Sequence, residues 1–163
     1  FLEPVDRSSE SRFSAAYRTF VLDELAANLP ELAGPTSELH LLGASLGGLA
    51  SASLALAAPA LFSGVATFSG AFLGSPERPD PYTSPDEWLR SRVEAGAEVP
   101  PRWFVGTGTL EWLHGPNERL AAALDQAGAE VAYLERPAGH NWPNWRDMTA
   151  AALSHLTGSP LPR

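Results

Sequence analysis

A chain of 163 residues, 44% hydrophobic and 18% charged, is long enough for one domain with a real core and too apolar for a disordered tail. Its formal net charge of -8, without a Lys/Arg cluster, excludes the electrostatic footprint of a nucleic-acid or anionic-membrane binder and suits a small neutral or modestly charged substrate. The absence of Cys excludes a disulfide framework, a thiol nucleophile and thiolate metal ligands, and no apolar run approaches a membrane span.

The chain opens at Phe1 in Phe1-Leu2-Glu3-Pro4-Val5-Asp6, which reads as the end of a strand entering a loop, as if the chain were joined midway. Phe13, Tyr17, Phe20, Val21, Leu25 and Leu29 then recur at helical spacing up to Pro30, predicting an amphipathic helix laid on a sheet. Pro30 to Thr36, with Gly34-Pro35, reads as a loop, and Glu38 to Leu42 as a buried strand. Gly43-Ala44-Ser45-Leu46-Gly47 follows, and the Ala-rich run Leu49 to Ala58 predicts a helix closed by Pro59.

Further on, Gly64 to Phe68 reads as the next buried strand, completing a βαβ unit with a right-handed crossover. The Pro- and Gly-rich stretch from Gly74 excludes regular structure up to Pro81. Ser84-Pro85-Asp86-Glu87 predicts a capped helix through Trp88, Leu89 and Val93 to about Ala95. Arg102 to Gly106 is a third strand, Pro116 starts a helix that Gly128 stops, and Val131 to Leu134 is a fourth strand. A helix from Pro143 carrying Trp145, Met148, Leu153 and Leu156 ends the series. The alternation predicts an α/β fold, a parallel sheet with helices on both faces, in one domain over residues 1–163, with 74–101 as a candidate lid or surface insertion.

Chemistry enters at the G-x-S-x-G turn. A strand–turn–helix corner strains its middle residue and pushes the Ser45 hydroxyl above the sheet, while Gly43 and Gly47 supply no Cβ to clash as the elements cross. The N–H of Leu46 then faces a developing oxyanion. The competing reading of Ser45 is a helix N-cap.

In an open parallel sheet the residues just after each strand share one rim, which brings His140 and Glu111 within range of Ser45. His140 is the candidate base, and Glu111 the candidate partner of its Nδ1–H, ahead of Asp147, Asp86 and Asp80. His40, His114 and His155 fall on helices or at the wrong end of a strand. The four histidines have no metal-ligand spacing, so neither a metal nor another cofactor is expected.

Gly43-Ala44-Ser45-Leu46-Gly47-Gly48-Leu49-Ala50, the strand ending Phe68-Ser69-Gly70, the Gly106-to-Glu111 loop leading to Asn117, and Gly139-His140-Asn141-Trp142 with Trp145 occur in one order. In that order the chain resembles the C-terminal part of the α/β-hydrolase serine esterases of the enterochelin-esterase-like and esterase-D-like kind. The resemblance runs from about Phe13 onward. It implies carboxylic ester hydrolysis through an acyl-serine, with Ser45, Glu111 and His140 as the triad. The Gly-Thr-Gly-Thr loop also resembles that of mycolyltransferase-type acyltransferases, which keeps acyl transfer open. Members carry further N-terminal strands, one of which leads to a loop supplying a second oxyanion N–H. No candidate for that loop is present here, so a non-catalytic α/β-hydrolase-like scaffold is the contrasting reading. Among the five Trp, Trp142 and Trp112 adjoin the candidate base and acid and, with Phe72, are candidate walls of a substrate pocket.

Overall fold

The computed structural model of the chain describes residues 6–34 and 38–159. The expected strand end over Phe1–Val5 and the Pro35–Thr36 part of the expected loop lie outside them. One turn of helix, α1 (Arg7–Glu10), precedes α2 (Ala15–Thr19), which Ser14 caps by accepting the Tyr17 N–H at 3.2 Å. The helix continues through a π-helical stretch, Phe20–Leu25, into α3 (Ala26–Ala33).

Two expectations are corrected in this segment. Pro30 lies inside α3 and does not end it, and Gly34, at φ 80°, comes after the last helical residue. Phe13, Tyr17 and Arg18 of the segment line a cavity of ≈ 470 Å³ together with residues of α4 (Leu46–Ala57) and α5 (Trp88–Glu94), where a position on the strands was expected. Phe13 makes an edge-to-face contact with Trp88 of α5 at 5.4 Å.

Strands β1 (His40–Ala44), β2 (Gly64–Phe68), β3 (Arg102–Gly108) and β4 (Glu130–Arg136) pair in the order β1-β2-β3-β4, every pair parallel. A sheet that grows in one direction through same-handed crossovers receives its connecting helices on one face. On that face, Leu49 of α4, Leu89 of α5 and Leu120 and Leu124 of α6 (His114–Gln126) share a core with Val65, Trp103 and Val105. The period-two alternation of the strands sends Ala66, Phe68 and Phe104 to the other face. There Met148, Ala152 and Leu156 of α7 (Trp142–Thr157) cover them. Burial of each leucine, valine, methionine or phenylalanine among them contributes about 1.5–3 kcal/mol.

The segment before α5 differs from the expected capping box. Ser84 Oγ accepts the Asp86 N–H at 3.3 Å, but the helix starts only at Trp88. Glu87 is engaged by Arg90 at 2.8 Å and by Arg119 of α6 at 2.8 Å, so an inter-helix ion pair takes the carboxylate that a cap would use. Burial alone would raise the Glu87 pKa, but these two arginines lower it. No helix among the described residues is long and apolar enough to cross a membrane.

Candidate active site

At the β1–α4 corner Ser45 has φ 56° and ψ -121°, a region that residues with a Cβ rarely occupy. Its side chain makes no helix-capping bond, so the strain does not serve a cap. The corner is held by its backbone: the Ser45 N–H donates to Phe68 O at 2.9 Å, and its carbonyl accepts from Leu49 N–H at 3.1 Å and Ala71 N–H at 3.0 Å. A Cβ on Gly43 would lie 2.2 Å from the Gly47 carbonyl oxygen, so the crossing needs that glycine. Gly47 has open space where its Cβ would be, which corrects the expectation for it. The tight second position is Gly48, whose Cβ would sit 3.0 Å from the Gly70 Cα.

Register builds the rim. Ala44, Phe68 and Gly106 pair across β1, β2 and β3, so Ser45, Ser69 and Thr107 follow one another along one edge. β3 runs two residues beyond the expected Gly106 and is laced to the loop after β4 by Thr109 N–H to Arg136 O, 2.8 Å, and Leu110 N–H to Ala138 O, 3.1 Å. Gly108 permits this approach, since a Cβ there would meet the Ala138 carbonyl oxygen at 2.1 Å. The loops carrying Glu111 and His140 are thereby tied together.

His140 Nε2 lies 2.9 Å from Ser45 Oγ, and His140 Nδ1 lies 2.6 Å from Glu111 Oε2. The other oxygen of Glu111 accepts from Thr107 Oγ1 at 2.7 Å and from the Gly108 N–H at 2.8 Å. The Glu111 side chain is 1% exposed. Burial pushes its pKa up, but hydrogen bonds from His140, Ser69, Gly108 and Thr107 outweigh burial and hold it at about 2. An ionised carboxylate only accepts, so Nδ1 of His140 carries the proton and Nε2 is left to accept from Ser45. Leu46 stands at the first helical position, where a helix leaves its N–H without an intrahelical acceptor.

The rival groups are engaged elsewhere. Asp147 pairs with Arg136 and Arg146, Asp86 with Arg78, and Asp80 with Arg12. His40 stands beside Glu38 at the opposite end of β1, His114 bonds Glu135 at 2.8 Å, and His155 lies 3.3 Å from the Glu130 carbonyl. Among the described residues no group of three or more His, Asp or Glu is placed to hold a metal ion.

Of the three candidate pocket residues, Trp142 and Trp112 are exposed, and Trp112 meets Tyr82 of the 74–101 segment at 5.5 Å between ring centres. Phe72 is buried in the core with its ring against Gly70. The ≈ 470 Å³ cavity is lined by Phe13, Tyr17, Leu54 and Trp88 and by none of Ser45, Glu111 and His140.

Four further side chains support the site. Thr107 bonds Glu111, and Trp145 Nε1–H donates to Ser69 Oγ at 2.9 Å. Fully buried Asn117 pins the turn after β2, accepting the Gly70 N–H at 3.0 Å and donating to Gly70 O at 2.8 Å. The available signal was position: Ser69 and Thr107 stand at strand ends beside Ser45.

Residues 4–156 match the model of the family described as "Putative esterase". No curated protein matches the chain. Among solved structures, the ferric enterobactin esterase of Salmonella typhimurium superposes with a TM-score of 0.79 at 24% identity, over 94% of this chain and 40% of its own. For the enterochelin esterase of Shigella flexneri the values are 0.74 and 21%, over 95% of this chain and 40% of its own. The S-formylglutathione hydrolase of Agrobacterium tumefaciens gives 0.68 and 17%, over 88% of this chain and 57% of its own. The chain thus spans about 40% of the length of the enterochelin esterases, and these likenesses establish its α/β-hydrolase-type fold.

Proposed function

The chain belongs to the Putative esterase family, and from that premise we propose that it is a serine carboxylic-ester hydrolase working through an acyl-serine on a small or medium-sized ester. The observation that carries this reading is the 2.9 Å contact between Ser45 Oγ and His140 Nε2, with Glu111 2.6 Å behind the imidazole. In acylation the Ser45 oxygen attacks the ester carbonyl carbon as its proton passes to Nε2. Negative charge collects on the former carbonyl oxygen, toward the Leu46 N–H, while Glu111 stabilises the imidazolium. Collapse expels the alcohol, which takes the proton from His140. In deacylation His140 takes a proton from water, the hydroxide oxygen bonds to the acyl carbon, and the acid leaves as Ser45 regains its proton.

Exposed Trp112 and Trp142 stand beside the acid and the base and supply apolar surface for the acyl or alcohol part of the ester. We read residues 74–101 as part of the same single domain, bordering the site through the Tyr82–Trp112 contact. A net charge of -8 argues against a polyanionic partner. The test is hydrolysis of p-nitrophenyl acetate and butyrate by the full-length protein. Turnover is expected in the wild type and its loss in Ser45→Ala, and equal turnover in both would refute the proposal.

A further inference from the structure

Ser69 is fully buried at φ 48°, a second non-glycine residue held in the left-handed region at the same rim as Ser45. Its N–H donates to Gly106 O at 2.7 Å, which ties the end of β2 to β3. An indole N–H is a donor only, so the Trp145 bond at 2.9 Å occupies a lone pair of Ser69 Oγ. The same indole reaches the candidate base, its ring standing at 86° to the His140 imidazole with centres 5.0 Å apart.

We propose that Ser69 and Trp145 act as one positioning unit for His140, Ser69 Oγ holding the indole in place and the indole walling the imidazole of the Glu111–His140 pair. Neither touches the substrate. Both act through His140, so the proposal rests on the esterase reading above.

Two variants separate this role from simple packing. Trp145→Phe keeps an aromatic ring against His140 and deletes only the donor. Ser69→Gly deletes the hydroxyl at a backbone angle that glycine adopts without strain. In the full-length protein, each is expected to lower kcat/KM for p-nitrophenyl acetate about tenfold with KM unchanged, the rate equivalent of one such hydrogen bond. The double variant should lose no more than about tenfold, because the two substitutions break the same chain. The downfield proton NMR signal of the His140 Nδ1–H should broaden in each. Wild-type kcat/KM and an unchanged signal in both variants, or losses that multiply in the double variant, would overturn the proposal. If the wild type turns over no ester, the esterase reading falls and the NMR signal alone decides: broadening supports the positioning unit, and an unchanged signal in both variants overturns it.

Discussion

Ser45 Oγ and His140 Nε2 lie 2.9 Å apart although 95 positions separate them in the chain. Two independent constraints produce that distance. Ser45 is raised by a corner in a disfavoured backbone region, and His140 is delivered by a loop bound through its backbone to the end of β3. Glu111 comes from the same end of β3 and fixes the imidazole from behind.

The carboxylate should matter for rate more than for binding. Glu111→Gln keeps the size of the side chain but removes the charge that orients and stabilises His140. The expected loss in kcat is up to about 10⁴-fold, as for an uncharged amide in place of a triad acid, with KM little changed. Steady-state kinetics on p-nitrophenyl acetate provide the check, and a kcat within about threefold of wild type would assign Glu111 a structural role only.

Acid should expose the same carboxylate through stability. Glu111 has a pKa of about 2 in the fold, against 4.5 ordinarily. A carboxyl lowered on folding stabilises the native state above the unfolded-state value, and that contribution is lost as pH falls through the folded-state value. The urea midpoint should therefore drop between about pH 5 and about pH 2, and drop less in Glu111→Gln. Parallel pH profiles for the two proteins would contradict this.

The two glycines flanking Ser45 should behave in opposite ways. Gly43→Ala places a Cβ 2.2 Å from the Gly47 carbonyl oxygen and should destabilise by about 1–3 kcal/mol or more. Gly47→Ala meets nothing within 4 Å, lies in the first turn of α4, and should stabilise by up to about 1 kcal/mol. Thermal midpoints of the two variants, compared with wild type, measure both.

The parallel sheet was legible because local pattern and tertiary outcome mostly agree: short apolar runs became β1 to β4, and the stretches between them supplied helices. However, β1 lies two residues later than the expected Glu38 to Leu42 and, with Leu42 exposed, is not the buried strand expected. The order of Ser45, Glu111 and His140 was legible because strand ends in such a sheet share a rim. What stayed hidden depends on partners distant in the chain. Glu87 fits a capping box locally but bonds Arg119, 32 residues away. Pro30 signals a helix end, yet it stands near the last turn of α3 and the chain absorbs it. Trp145 fits core packing by its spacing to Met148, and only the fold brings its N–H to Ser69. Gly47 belongs to the motif, but the crossing of strand and helix presses on Gly43 and Gly48.

The most direct measurement is peptide mapping by mass spectrometry after treatment with a fluorophosphonate, which bonds an activated serine oxygen as fluoride leaves. A single adduct on the peptide containing Ser45, absent when His140 is replaced by Gln, is the expected result. An adduct on another serine, or undiminished labelling of Ser45 in His140→Gln, would contradict the account.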